Sequence, residues 1–460
     1  MKDNSGRLGT EKIWKLVLQL AIPAMLAQFV NVAYSIVDRI YIGNIPEIGG
    51  NALAGVGVCG PIVTLISSFA YLVGLGGAPL MAIRLGEGEE KRARDILSTG
   101  FLLLVILSVI LTAAVFFSKE LLLGWFGAST PELFSYAQEY LTWYVFGTLF
   151  AILAAGLNSY IVAQGCAKLG MTASLIGAAA NIALDPVFIF TLDMGVAGAA
   201  IATVLSQVLS AAFSVLVLMS KNRAVRLRIN GFSGKIARKI LTLGISPFLI
   251  IATDSVMLLA LNGVLQRYGG ENGDLYITAA TIMLSFMQVI TMPLGGISSG
   301  TQPILSYNYG ACRMKRIKEG EKWILFLAIL FTFVMFLAAQ FFSEPFVSVF
   351  TRDEALQALS VRFIRVYTLA IIPLSFQYVF VDGLTALGIA PIAITLSLFR
   401  KLVVMLSLTF LLPMYFGAEA ALYAEPIADT VSALVTSAVF LSTINPILRR
   451  RQARLEHAHA

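Results

Sequence analysis

Twelve runs of mainly apolar residues, each near or above the ~20 residues a helix needs to cross a bilayer, follow one another with short polar connections between them. They cover about 14–40, 52–83, 96–117, 134–161, 169–191, 195–220, 238–265, 276–306, 321–343, 357–384, 391–414 and 418–443. In hydrocarbon the backbone of such runs can satisfy its own hydrogen bonds only as helices. Charged residues are just 13% of the chain and hydrophobic ones 58%, which leaves no stretch for a soluble domain. Several runs exceed the minimum length, so tilted or bent helices are expected. The expected fold is an all-α polytopic membrane protein of twelve transmembrane helices, arranged as two six-helix lobes related by a pseudo-twofold axis. The first run is too long for a signal-peptide core and no small-residue cleavage site follows it, so an uncleaved first helix is expected.

Lys and Arg set the orientation. With the N-terminus cytoplasmic, 25 of the 33 basic residues fall on that side, in the N-terminal segment, the 84–94 loop, Lys168, the 221–239 and 313–322 loops and the tail. The positive-inside rule then places both termini in the cytoplasm. Facing an anionic leaflet accounts for the net charge of +7, so no nucleic-acid partner is needed.

The chain repeats itself. Pro23 matches Pro247, and Pro79 through Gly86 to Lys91-Arg92 matches Pro303 through Gly310 to Lys315-Arg316, all 224 residues apart. The stretch from Gly195 resembles the one from Gly417 at a spacing of 222. Each half holds an even number of spans, so both enter from the same side as parallel repeats. Transporters built this way bind substrate between their halves. The expected division is an N-terminal lobe over 1–220, a basic cytoplasmic linker over 221–239, and a C-terminal lobe with a basic tail over 240–460.

Within the first span, Pro23 removes a backbone donor and predicts a bend. Asp38 would cost at least ~2.5 kcal/mol in hydrocarbon, which points it at a cavity, the bundle interior or an ion. Counted along the helices, Asp38 lies ~8 Å and Tyr34 ~14 Å from the outer end of span 1. In span 5, Asp185 lies ~10 Å and Asn181 ~16 Å deep, with Thr203 at ~12 Å in span 6. Their i, i+4 spacing puts Asn181 and Asp185 on one face. Oxygen ligands of this kind suit Na⁺, or a proton shared between carboxylates. The competing reading is that Asp185-Pro186 ends a helix and Asn181 bonds a neighbour. The repeat places Asn262 opposite Asp38 and Leu408 opposite Asp185, so only the first half keeps the pair.

The second half has its own charges. Glu425 and Asp429 share a face of span 12, and Arg400 with Lys401 reach a similar depth in span 11, so Arg400–Asp429 is a candidate structural pair. Asp254 shows no cation partner in the sequence and is the candidate to meet a cationic substrate. Glu425, Asp429 and Met287, in the Met- and Phe-rich stretch 286–292, are further substrate-binding candidates. Asp382 lies near the inner end of span 10, within reach of water. The glycine-rich GLGGAPL at 74–80 lacks the lysine of a phosphate loop and lies inside a span, which favours helix packing. Cys59, Cys166 and Cys312 have no ligand spacing, and the only histidines, His457 and His459, are in the tail. A membrane enzyme would need a nucleophile–base or metal constellation, and none is visible.

Four stretches carry a family resemblance: Pro23 with VDRIYIG; Pro79 to Arg84-Leu-Gly and its basic loop; NIALDPVFIF at 181–190; and EPIAD at 425–429. Across all twelve spans the chain resembles the bacterial multidrug and toxic compound extrusion (MATE) transporters, nearest the DinF/MepA-like branch. The resemblance implies a coupling-ion site at Asp38, Tyr34, Asn181, Asp185 and Thr203, with Asn158 matching a further family asparagine. It also implies helix bending at Pro23. The expected activity is secondary efflux of cationic, amphipathic drugs in exchange for Na⁺ or H⁺, by a monomer without a cofactor in the bacterial cytoplasmic membrane. The alternative in the wider superfamily is a flippase for a lipid-linked anionic precursor. That reading wants a cationic cavity and often two additional helices.

Overall fold

The computed structural model describes residues 6–125, 130–221, 223–228 and 231–459, with side-chain burial defined as far as residue 453. The described residues are overwhelmingly helical. The first six spans are α1 (Ile13–Gly43), α2 (Gly49–Gly86), α3 (Glu90–Trp125), α4 (Pro131–Phe146 and Thr148–Ala163), α5 (Ala167–Pro186) and α6 (Gly195–Met219). The second six are α7 (Gly234–Gly269), α8 (Gly273–Gly310), α9 (Met314–Phe341), α10 (Glu354–Tyr367 and Ile371–Ala386), α11 (Ala390–Leu398 through Ser407–Phe416) and α12 (Ala424–His459). Both α4 and α10 are broken, by 58° and 49°. The expected twelve spans are all present. Residues 234–239, expected in the linker, are instead the first turns of α7. The connection before them folds back on the first lobe: Val225 N–H donates to Gln164 Oε1 at 3.1 Å, and Leu227 N–H to Leu218 O at 2.9 Å.

The repeat is built into the turns. Left-handed residues occur in pairs at Glu47 and Gly270, Gly88 and Cys312, Gly165 and Gly388, and Gly195 and Gly417. Few side chains tolerate positive φ, so such positions mark tightly specified turns. Helix starts repeat too. Thr130 Oγ1 caps the first half of α4 by accepting from Leu133 N–H at 3.3 Å, and Asp353 Oδ1 caps α10 by accepting from Leu356 N–H at 3.0 Å. Each such cap contributes about 1 kcal/mol.

The lobes meet through glycine. A Cβ on Gly86 of α2 would collide with Tyr307 O of α8, and a Cβ on Gly310 of α8 would collide with Ile83 O of α2. Ile83 and Tyr307 are themselves repeat mates, so the two contacts are pseudo-twofold copies. Deeper in, Gly76 abuts Ile240 O and Gly244 of α7, while Gly300 abuts Ala24 of α1. Phe69 and Phe248 stack edge-on at 4.9 Å above them.

Both chain ends lie on one face of the bundle, the termini face. There, Asn308 Nδ2 donates to Leu8 O at 3.0 Å, Arg316 Nη2 donates to Glu11 O at 2.7 Å, and Arg451 of α12 pairs with Glu87. The close glycine contacts all lie in the half of the bundle toward this face.

Pro23 is buried within α1, and the helix is continuous from Ile13 to Gly43. At Pro23 this continuous helix lacks one backbone donor, the local weakness from which a bend is expected. At α5 the chain does not stop at Asp185-Pro186; a π-helical turn, Val187–Thr191, carries it on. Proline removes one donor there and the wider turn absorbs the slack, a distortion frequent at functional sites. The reading of Asp185-Pro186 as a plain helix end is thereby corrected.

Candidate functional site

Three helices bring the first-lobe candidates together. Asp185 and Asn181 are fully buried on one face of α5, four residues apart. Asn181 Nδ2 donates to Asp185 Oδ1 at 3.1 Å and reaches Thr203 Oγ1 of α6 at 3.3 Å. From α1, the half-buried Asp38 carboxyl comes within hydrogen-bonding reach of the Asp185 carboxyl. Tyr34, one turn before Asp38, lies within electrostatic range of both carboxyls and of Tyr71 and Tyr144.

Asp38 Oδ1, Asp185 Oδ2 and Asn181 Oδ1 are all buried without a hydrogen-bond partner among the described residues. Buried polar atoms are normally satisfied. Three orphaned oxygens converging beside a hydroxyl fit a hard cation or a proton between the carboxyls.

Asn158 does not join this cluster. Its Oδ1 sits against Gly170, at the end of α5 nearer the termini face, 11 residues or ~16 Å along the helix from Asn181. Residues missed from the sequence complete the wall instead. Tyr140 of α4 lies within hydrogen-bonding reach of Thr203, and Tyr144 within reach of Gln207 and Ser67. Tyr140 stacks on Tyr144 at 6.1 Å. A signal was available: Tyr140/Tyr144 and Thr203/Gln207 are both i, i+4 pairs.

The second-lobe expectations need more correction. Asp254, expected to lack a cation, is bonded by Lys401 Nζ at 2.5 Å, with the Asp254 side chain 51% exposed. Arg400 does pair with Asp429, at 2.7 Å, and equally with Glu425 at 2.7 Å. Glu425 also accepts from Tyr367 Oη at 3.4 Å. Of these two substrate-binding candidates, Glu425 has both oxygens engaged, whereas Asp429 Oδ2 is buried without a hydrogen-bond partner among the described residues. Arg400 and Lys401 stand on a π-helical stretch of α11, Phe399–Leu406, which turns adjacent residues toward α12 and α7 respectively. Met287 is buried in an apolar cluster with Phe286 and Ile290, a packing position. Asp382 is held inside the lobe by Ser298 Oγ, which donates to it at 2.5 Å. It is half-buried, so it stays partly open to water, as its position near a helix end had suggested. None of the three cysteines is in a disulfide among the described residues. No group of three or more His, Cys, Asp or Glu side chains is arranged to hold a metal among the described residues.

The comparisons agree with this architecture. The multidrug export protein MepA of Staphylococcus haemolyticus is 23% identical over 96% of this chain and 97% of its own. The FAD transporter of Shewanella oneidensis is 26% identical over 93% and 94%. An outward-facing multidrug resistance MATE family transporter superposes with a TM-score of 0.89 at 23% identity, over 98% of this chain and 99% of that one. A MOP superfamily transporter of Pyrococcus furiosus, noted for a binding pocket of reversed polarity, gives 0.90 at 24%, over 97% and 99%. At such identities the superpositions speak to the fold alone. The MatE family model matches twice, over residues 23–187 and 248–411, once in each lobe. With most of its length matched, and its two lobes matched separately, the chain belongs to the MatE family of membrane transporters.

Proposed function

We propose that this protein is a secondary antiporter that expels cationic, amphipathic compounds in exchange for Na⁺ or H⁺. The observation that carries the reading is the Asp38–Asp185 approach with its three unpartnered oxygens. Neutralising two neighbouring buried carboxyls changes the local charge by up to two units, and a change of that kind can bias the arrangement of α1 against α5. Pro23, lacking its hydrogen bond, is where α1 can yield at least cost. Cation uptake and drug binding would then oppose each other, and by linkage each weakens the other equally. In this reading both termini are cytoplasmic, the membrane is the bacterial inner one, and the glycine-sealed face is closed toward the cytoplasm.

The relatives named as multidrug exporters support a broad small-molecule cargo. An anionic cargo, as for the FAD transporter or a lipid-linked precursor flippase, asks for net positive charge in the cleft. Here Arg400, Glu425 and Asp429 are buried together and Lys401 is nearly buried, which leaves the half-exposed Asp254 as the charge of this cluster most open to a cargo.

The deciding experiment is ethidium efflux from reconstituted vesicles, with Na⁺ and pH gradients imposed separately on wild type and Asp38→Asn. Gradient-driven transport that the variant loses supports the reading and names the ion. Absence of cation transport under either gradient in wild type sinks it in favour of an anionic cargo.

A further inference from the structure

A second pair of carboxyls lies in the other lobe, away from the first site. Glu321 of α9 is 6% exposed, and the half-buried Asp382 of α10 stands within electrostatic range of it. They stand about 7–10 Å inside the lobe, counted from the helix ends at the termini face. Glu321 packs so closely on α10 that a Cβ at Gly383 would collide with its Oε1. That Oε1 has no hydrogen-bond partner among the described residues.

The remaining wall comes from α8. Ser298 Oγ donates to Asp382 at 2.5 Å, and the Gln302 carboxamide, 3% exposed, points at the same carboxyl. The Gln302 amide nitrogen has no hydrogen bond of regular geometry. Asp382 is the charged group facing Glu321 from α10, and α8 contributes only the neutral Ser298 and Gln302. No lysine or arginine is in an ion pair with either carboxyl among the described residues.

The equivalent junction in the first lobe is built without charge. There Tyr160 of α4 is wedged against Gly77 of α2 and Gly100 of α3, and donates to Val73 O at 3.1 Å. By the turn pairs Gly88/Cys312 and Gly165/Gly388, Tyr160 stands opposite Gly383, and Leu97 opposite Glu321. A neutral filler therefore closes the same junction in this same chain, so packing alone does not call for two acids.

We propose that Glu321 and Asp382 form a proton-binding pair in the second lobe, distinct from the Asp38–Asp185 cluster. A buried carboxyl and its half-buried neighbour, with no cation between them, cannot both be ionised cheaply, and a proton on Glu321 satisfies its orphaned oxygen. Asp382 already accepts from Ser298, and Glu321 Oε1 is the pair's one buried carboxyl oxygen without a partner among the described residues, so a proton fits better than Na⁺. The position puts the pair within a short path of water at the termini face, where protons can exchange.

The test is a proton count. Purified protein in detergent is back-titrated between about pH 5 and 9 in choline chloride, for wild type, Glu321→Gln and Asp382→Asn, since a shared proton belongs to the pair and either substitution removes it. The proposal expects each variant to exchange about one proton fewer than wild type, with addition of NaCl leaving that difference unchanged. Equal counts for wild type and both variants overturn it. So does release of the extra wild-type proton on adding Na⁺, which would make the pair a Na⁺ site. If one variant fails to elute as a folded monodisperse species, the other carries the comparison. If both fail, the double variant Glu321→Gln, Asp382→Asn, which strands no charge, carries the comparison, and a proton count equal to that of wild type overturns the proposal.

Discussion

Asp38 on α1 and Asp185 on α5 meet carboxyl to carboxyl, and each keeps one buried oxygen without a partner among the described residues. Such a contact is repulsive if both groups are charged and attractive once a proton or cation lies between them. The relationship spans two helices, so its charge state bears on how α1 sits against the rest of its lobe. We expect Asp38→Asn and Asp185→Asn each to reduce gradient-driven ethidium efflux at least ~10-fold, equivalent to about 1.4 kcal/mol of coupling. Equilibrium drug binding should persist but no longer respond to the ion. Ion-dependent release in both variants would rule the pair out as the coupling site.

Arg400 answers two buried carboxylates at once, with Asp429 at 0% exposure. Removing it by Arg400→Met strands both, a loss of about 3–5 kcal/mol by analogy with other broken buried pairs. The triple variant Arg400→Met, Glu425→Gln, Asp429→Asn removes the charges together and should recover most of that stability. Thermal unfolding in detergent reads both. A single variant as stable as wild type would mean the triad is already hydrated or neutral.

Asp254 and Lys401 are coupled but unequal, with Asp254 half exposed and Lys401 nearly buried. Asp254→Asn leaves Lys401 as an unmatched positive charge and should weaken binding of a cationic probe. Lys401→Met frees the carboxylate and should strengthen it, each by roughly tenfold for ~1.4 kcal/mol. Ethidium fluorescence titration measures both. Shifts in the same direction would place the pair outside the cargo's field.

Gly310 sits backbone to backbone against Ile83 across the lobes, two residues before Cys312. Ala is the better helix former by about 1 kcal/mol, so any harm done by Gly310→Ala must come from the lobe contact. Partial burial pushes the Cys312 thiol pKa up, which keeps its reactive thiolate scarce. Parting the lobes exposes the thiol, so Gly310→Ala should speed its maleimide labelling several-fold at fixed pH. Cys59 and Cys166, both buried, serve as internal controls. Unchanged labelling of Cys312 would show that the contact tolerates the methyl group.

Much of this was legible in the residues alone. Hydrocarbon enforces helices on long apolar runs, so twelve spans could be counted. The spacing of Pro23 and Pro247 gave the internal repeat, which the paired left-handed turns reproduce in the backbone. Asp38, Asn181, Asp185 and Thr203 could be brought to a common depth because helical rise is constant along a straight span. Lateral position is another matter. Whether Asn158 points to Asp185 or to Gly170 depends on which face of α4 meets α5, and no one-dimensional count contains that rotation. The partner of Asp254 was missed because a π-helical stretch in α11 shifts Arg400 and Lys401 off the regular 100° step, sending neighbours to different helices. Asp382 looked solvated by its distance from a helix end and is half-buried, but the packing of α9 on α10 that sets Glu321 against Gly383 beside it was not visible. Sequence fixes depth through periodicity and hydropathy. Only tertiary packing decides azimuth, and charges pair, strand or share a proton according to azimuth.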